Sequence, residues 1–180
     1  MNNRCSIRFA GSGGQGVILA SVFMAEAAVM NGYKTMQFQN YGPEVRGGMC
    51  QAYTIFSDEE ILFPHPERFD VLLALTQAAL NNFSMDTGQT SVIITDSGLS
   101  VPEHCPAAKV FCIPILKTAE ETVGRPMTAN VVATAAINSS FDFFPDDTMW
   151  EAIKKHIPVG SEAYDMKAYE EGRKLGKNLL

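Results

Sequence analysis

The sequence lacks the residue patterns that would let a chain carry out a reaction on its own. Its three histidines, His65, His104 and His156, have no partner at a metal-ligand spacing, and no serine stands in a G-x-S-x-G motif. No glycine-rich stretch ends in the Gly-Lys-Ser/Thr of a Walker motif, because Gly16 is followed by Val17. We therefore expect a chain that holds part of a ligand and has no catalytic or metal-binding residues of its own.

Cysteines are few and widely spaced. The four cysteines, Cys5, Cys50, Cys105 and Cys112, form no C-x-x-C pair, whereas iron–sulfur clusters need closely spaced cysteines. The spacing argues against a cluster on this chain. It predicts reduced, mostly buried thiols in a cytoplasmic protein.

Basic residues and long apolar runs are also scarce. The 14 Lys and Arg are outnumbered by 20 Asp and Glu, so the net charge is -6, which disfavours binding to nucleic acid. No run approaches the ~20 apolar residues of a membrane helix, and the N-terminal stretch does not resemble a signal peptide. We expect a cytoplasmic protein without membrane insertion, folded as a single domain over residues 1–180.

The sequence does contain alternating apolar strands and helices, which predict an α/β domain. A short, glycine-rich connection between the second and third strands favours a hairpin over a helical crossover. The expected fold is a Rossmann-like, mostly parallel sheet flanked by helices, with a β-hairpin and a C-terminal helical segment. Strands are predicted at 5–10, 34–40, 49–56, 69–75, 91–96 and 109–113, and helices at 15–31, 76–83, 118–123, 130–139, 148–155 and 161–177.

A glycine-rich turn joins the first predicted strand to the first helix. Glycines let a backbone approach a ligand closely, and a helix N-terminus offers free N–H donors to a phosphate. No acidic residue closes the second strand, where a dinucleotide fold would hold a ribose, which counts against an NAD site. Two side chains have a structural role as the alternative to ligand binding: Gln15 can cap the start of the helix, and Ser12 can be a small residue that the turn requires. The predicted cofactor-binding residues are Gly11, Ser12, Gly13, Gly14, Gln15 and Gly16.

A second turn, between the second and third strands, combines proline, glycines and a charged pair. Arg46 can bind a carboxylate or phosphate through its planar fork, or it can pair with Glu44. Loops at the C-terminal ends of strands form the ligand crevice of an α/β sheet, so we expect this turn to lie beside the first. The alternative is a plain hairpin connection with a surface salt bridge. The predicted substrate-cavity and interface residues are Tyr41, Gly42, Pro43, Glu44, Arg46, Gly47 and Gly48.

The first helix is apolar around its whole circumference between Val17 and Met30. A helix on the surface of a domain shows one apolar stripe, whereas a helix that is apolar all round is covered on all sides. We therefore expect another chain to cover this helix. The alternative is a central helix covered by the C-terminal helices of the same chain.

The two turns, together with Asn130-Val131-Val132-Ala133 at the start of a late apolar helix, resemble one family over nearly the whole chain. This family comprises the gamma subunits or gamma domains of the 2-oxoacid:ferredoxin oxidoreductases. The resemblance implies a multi-subunit enzyme that converts a 2-oxoacid, coenzyme A and oxidised ferredoxin to an acyl-CoA, carbon dioxide and reduced ferredoxin. It also implies that the turn at 11–16 faces coenzyme A and that the turn at 41–48 borders the same cavity.

The same resemblance implies that the other cofactors lie on other chains. This chain has no GDG motif and no cluster cysteines. Thiamine diphosphate, Mg and the iron–sulfur clusters are therefore expected on alpha, beta and delta partner subunits, and ferredoxin is expected to meet this chain only through the complex.

Several functions remain open at this point. The turn at 41–48 looks more like those of the 2-oxoglutarate and branched-chain relatives than those of the pyruvate ones, which favours 2-oxoglutarate. The alternatives are a gamma subunit for pyruvate, a branched-chain 2-oxoacid or indolepyruvate. Further alternatives are a free-standing nucleotide or acyl-CoA binding module, and an assembly protein whose glycine turns are only structural.

Overall fold

The computed structural model describes residues 4–41, 48–177 and 179. Within them, six strands form one mixed sheet flanked by helices, which confirms the predicted α/β fold. The strands are β1 (Arg4–Ser12), β2 (Lys34–Tyr41), β3 (Met49–Ser57), β4 (Val71–Ala74), β5 (Val92–Asp96) and β6 (Lys109–Ile113). The helices are α1 (Val17–Met30), α2 (Gln77–Phe83), α3 (Ile115–Lys117), α4 (Ala129–Phe141), α5 (Asp146–Lys154) and α6 (Glu162–Gly176). α3 continues into a π-helical turn at Thr118–Val123, and short 3₁₀ turns lie at Ser84–Asp86 and Pro126–Thr128.

The first strand lies in the middle of the sheet, whose order is β2-β3-β1-β4-β5-β6. β1 pairs in parallel with β4 and antiparallel with β3. β2 and β3 form the antiparallel hairpin that the short connection predicts, and β5 pairs in parallel with both β4 and β6. Because two antiparallel pairings separate β2 from β1, the two strands run in the same direction and end at the same edge.

Helices cover the two faces of the sheet unequally. On one face α1, α4, α5 and α6 share a core that includes Ile7 and Phe9 of β1. On the other face α2 packs over Leu72 and Ile93. The period-2 alternation of strand side chains sends neighbouring residues to these opposite faces. Among the described residues, no helix is long and apolar enough to cross a bilayer.

α1 is covered largely by its own chain. Phe23 and Met24 are fully buried, and the helix packs on β3, β2 and β1 and on α4 and α5. Its last turn stays open, with Val29 59% and Met30 42% exposed. For most of α1, the structure thus supports the alternative in which the C-terminal helices of the same chain cover the helix. It leaves an apolar end that the described residues cover only in part.

The cysteines are less buried than the sequence predicts. All four are free, Cys112 is exposed, and Cys5, Cys50 and Cys105 are half-buried. The expectation of mostly buried thiols is therefore wrong, most clearly for Cys112. This residue lies on β6, an edge strand of the sheet, where fewer neighbours can cover a side chain.

Candidate functional site

The glycine-rich turn forms an open cradle of backbone N–H groups between β1 and α1. Gly14 and Gly16 have φ angles of 97° and 69°, in the left-handed region that favours glycine. Gly16 is the N-cap of α1, and no side chain of the described residues caps the helix, so the N–H groups of its first turn have no partner within the helix. Gly13 and Gly14 are exposed, and a Cβ on Gly14 would meet no atom within 4 Å. Within the part of the chain that the structure describes, the turn is open to a ligand.

Gln15 braces this turn from within. Its Oε1 accepts a hydrogen bond from the backbone N–H of Ser12 at 2.8 Å, and its Nε2 donates to the carbonyl of Leu75 at 3.3 Å. A Cβ on Gly11 would lie 2.5 Å from that Oε1, so glycine at position 11 makes room for the brace. The expected helix cap by Gln15 is therefore wrong for the described contacts, because its side chain braces the turn instead. A contact between Gln15 and a ligand stays a prediction.

The first turn and the described ends of the second meet at one edge of the sheet, as their places after β1 and β2 predict. The N–H of Gly13 donates to the carbonyl of Gly48 at 3.1 Å, and Ser12 stands opposite Met49 in the β1–β3 pairing. Tyr41 ends β2 at the same edge, opposite Cys50. The remaining predicted residues of this turn, Gly42, Pro43, Glu44, Arg46 and Gly47, lie outside the described residues.

Asn130, at the start of α4, completes the edge. A Cβ on Gly16 would lie 2.7 Å from Nδ2 of Asn130, and Asn130 is only 5% exposed. Its Oδ1 accepts a hydrogen bond from the N–H of Val131 at 3.0 Å. The three segments that carry the family resemblance are therefore neighbours in space. Their contact could not be read from spacing, because more than a hundred positions separate Gly16 from Asn130.

The described part of this edge supplies donors rather than acid–base groups. The first turn of α1 has no acidic residue, so an anion there meets no nearby carboxylate on the helix. Asp96, at the end of β5, is already hydrogen-bonded within the chain. Its two oxygens accept hydrogen bonds from the N–H groups of Leu116 and Gly98, at 2.8 and 3.0 Å. Within residues 4–41, 48–177 and 179, no group of three His, Cys, Asp or Glu could hold a metal ion. The edge can hold an anion through backbone N–H groups.

A separate cleft of about 310 Å³, which no sequence motif predicts, opens on the face of the sheet away from α1. We call it the Arg8 cleft. Arg8 pairs with Asp86, and its guanidinium lies over the rings of Phe69 and Phe83, 4.1 and 4.6 Å from their centroids. Burial lowers the pKa of Arg8, and the bond to Asp86 opposes this shift. The cleft is lined by Arg8, Phe38, Gln39, Asn40, Gln51, Tyr53 and His65.

The opposite wall of the Arg8 cleft is aromatic. The rings of Phe38 and Tyr53 stack with centroids 5.0 Å apart, and the Tyr53 hydroxyl shares a 2.6 Å hydrogen bond with Nδ1 of His65. Burial raises the pKa of Tyr53. The β2–β3 register places Phe38 opposite Tyr53, which makes this wall a consequence of the hairpin.

Comparison with known proteins gives one family for the whole domain. The family model described as pyruvate ferredoxin/flavodoxin oxidoreductase matches residues 6–175. The 2-oxoglutarate synthase subunit KorC of Methanothermobacter thermautotrophicus is 36% identical over 179 residues, which cover 96% of this chain and 95% of that protein.

Two solved structures share the fold over the full chain. The gamma subunit of a keto/oxoacid ferredoxin oxidoreductase from Geobacter sulfurreducens matches with a TM-score of 0.85 and 34% identity, covering 98% of both chains. The 2-oxoglutarate:ferredoxin oxidoreductase from Magnetococcus marinus, solved with 2-oxoglutarate, coenzyme A and succinyl-CoA bound, matches with a TM-score of 0.87 and 26% identity. The match covers 100% of this chain but 32% of the Magnetococcus chain, so there the equivalent domain is part of a longer polypeptide.

Proposed function

Because this chain belongs to the pyruvate ferredoxin/flavodoxin oxidoreductase family, we propose that it is the gamma subunit of an enzyme that oxidises 2-oxoglutarate. The chain is a subunit of a multi-subunit 2-oxoacid:ferredoxin oxidoreductase. The proposed reaction converts 2-oxoglutarate, coenzyme A and oxidised ferredoxin to succinyl-CoA, carbon dioxide and reduced ferredoxin. The choice of 2-oxoglutarate is supported by the KorC relatives and by the ligands named for the Magnetococcus enzyme.

In this proposal the reaction takes place on partner subunits. Alpha, beta and delta subunits would carry thiamine diphosphate, Mg and iron–sulfur clusters, which supply decarboxylation and electron transfer, and ferredoxin would bind the assembled complex. The gamma subunit would contribute the glycine edge, defined here as residues 11–16 together with Gly48. Tyr41 and the rest of the turn that follows it would border the same cavity.

The observation that carries the assignment of a site is the open cradle at Gly14 and Gly16. Two left-handed glycines lie at the start of α1, where no described side chain caps the helix. The N–H groups of a helix's first turn bind phosphates without a basic side chain. We assign the diphosphate of coenzyme A to this cradle. An acidic chain can bind this anion because the donors are part of the backbone.

The experiment compares two variants of the assembled enzyme that differ by a single charge. Asp and Asn both tolerate the left-handed conformation at position 14, so Gly14→Asn reports the effect of size and Gly14→Asp adds a negative charge beside the diphosphate. We expect Gly14→Asp to raise the KM for coenzyme A at least tenfold over Gly14→Asn, with the KM for 2-oxoglutarate unchanged. Gly32→Asp serves as the control, since Gly32 has a φ of 84° and open space at the far end of α1.

Three outcomes would contradict the proposal. Equal KM values for coenzyme A in Gly14→Asn and Gly14→Asp would show that the cradle is not part of the coenzyme A site. A preference of the assembled enzyme for pyruvate over 2-oxoglutarate would overturn the assignment of 2-oxoglutarate as the substrate. Micromolar binding of coenzyme A by the chain alone, without co-purifying subunits, would favour a free-standing binding module.

A further inference from the structure

An apolar groove continues from the glycine edge along α1. It begins at Asn130, the residue that packs against Gly16, and runs past Leu19 and Phe23 to the turn at His156. With a rise of about 1.5 Å per residue, the groove reaches roughly 10 Å along α1 from the cradle. Its volume is about 160 Å³, which suits one planar ring system better than a whole coenzyme. We call it the α1–α4 groove.

The walls of the α1–α4 groove are apolar, but it also contains a buried carboxylate. Leu19, Met127 and Pro158 contribute apolar surface, and Met127 is left 73% exposed. Asp165 also lines the groove and is only 5% exposed, with one oxygen accepting a 2.5 Å hydrogen bond from Ser161 Oγ. A buried carboxylate is stabilised by further donors. An apolar slot with one acceptor therefore matches an aromatic base that carries an exocyclic amino group.

Arg125 adds a positive charge to the same groove. It is half-buried, and its guanidinium lies over the ring of Tyr164, 5.5 Å from the centroid. Among the residues that the structure describes, no carboxylate forms an ion pair with Arg125. Six other Lys and Arg side chains form ion pairs with Asp or Glu: Arg8, Lys117, Lys154, Lys155, Arg173 and Lys174. An arginine fork without a carboxylate partner is suited to a phosphate.

We propose that the α1–α4 groove takes the adenine of coenzyme A and that Arg125 pairs with the 3′-phosphate. The inference rests on the proposed function, because it extends the ligand whose diphosphate the cradle holds. Coenzyme A carries adenine and the 3′-phosphate on one ribose, a short reach from the diphosphate. The protein presents matching features side by side: the cradle for the diphosphate, the apolar walls of the α1–α4 groove for adenine, and Arg125 for the 3′-phosphate.

The test compares coenzyme A with 3′-dephospho-coenzyme A in the assembled enzyme. We expect the wild type to show a KM at least tenfold lower for coenzyme A. Arg125→Met keeps an apolar stem over Tyr164. We expect it to raise the KM for coenzyme A to the value for the dephospho form, and to leave the KM for the dephospho form unchanged. Arg125→Lys should keep part of the preference. Lys34→Met removes one exposed charge at the opposite end of the sheet, and it should change neither KM.

A second measurement needs no variant. Adenosine 3′,5′-bisphosphate should compete with coenzyme A at least tenfold more strongly than adenosine 5′-monophosphate. Equal inhibition, or an unchanged preference in Arg125→Met with an intact complex, would overturn the groove assignment. If Gly14→Asp still raises the KM for coenzyme A in that case, only the groove assignment fails. If neither position affects coenzyme A, the proposed site fails as a whole.

Discussion

Gly172 of α6 lies directly against the backbone carbonyl of Val132 in α4, and Gly176 repeats the contact one turn later against Ala136. A Cβ at either glycine would come closer than 3.0 Å to a carbonyl oxygen, a separation that real Cβ atoms essentially never show. The two helices therefore touch backbone to backbone. This contact fixes α4, and with it Asn130 at the glycine edge.

Gly172→Ala is expected to destabilise the fold by about 3 kcal/mol, because the neighbour is backbone and cannot turn aside. The free energy of unfolding in urea measures the change. Glu170→Ala, at an exposed position of the same helix, should alter stability by less than about 0.5 kcal/mol. A Gly172→Ala variant as stable as Glu170→Ala would show that the two helices can separate at no cost.

Gly11→Ala tests the brace formed by Gln15. The new Cβ would lie 2.5 Å from Gln15 Oε1 and 2.9 Å from a methyl of Val17, so we expect a loss of about 1–3 kcal/mol. Combining it with Gln15→Ala removes the closer of the two contacts. The double variant should therefore lose less than the sum of the two single variants, and strict additivity in thermal unfolding would contradict the brace.

The ion pair of Arg8 and Asp86 is expected to stabilise more than the surface pairs of this chain. Arg8 is 13% exposed and held between two rings, so Asp86→Ala leaves a mostly buried guanidinium without its partner. We expect a loss of about 2 kcal/mol. Glu151→Ala breaks the exposed pair with Lys154 and should cost under about 1 kcal/mol. Equal losses in the two variants would contradict the role of burial.

Alkylation should separate the cysteines by exposure and pKa. Cys112 is exposed, so iodoacetamide should modify it first. Burial, with a smaller contribution from Asp70, raises the pKa of Cys5 above its ordinary value. Cys5 therefore stays a protonated thiol, and its slow modification should change little between pH 7 and 9. Mass spectrometry of the modified peptides gives both rates, and rapid labelling of Cys5 in folded protein would contradict this prediction.

Local patterns in the sequence predict the elements well, since strand and helix periodicities are properties of neighbouring residues. The bounds of β6 agree at both ends, the β2–β3 hairpin follows from its short connection, and the glycine turn lies between β1 and α1. The predicted helix at 118–123 is a π-helical turn, a distinction that hydrophobic periodicity does not make.

The contacts that shape the candidate site could not be predicted in this way. The packing of Asn130 on Gly16 and the enclosure of Arg8 by Phe69 and Phe83 join residues far apart in sequence. The position of α1 depends on where the C-terminal helices dock, so an all-apolar helix alone could not distinguish covering by its own chain from covering by a partner. The binding roles of residues 11–16 and 41–48 stay predictions.

The central position of β1 also constrains how the chain can fold during synthesis. Ile7 pairs with Thr54 on one side and Val71 on the other, so β1 gains its second neighbour only once β4 has been synthesised. Until then an apolar strand and the apolar helix α1 lack their partners, and such non-local pairings form slowly. A nascent chain that exposes these apolar surfaces is prone to aggregation until β4 is available for pairing.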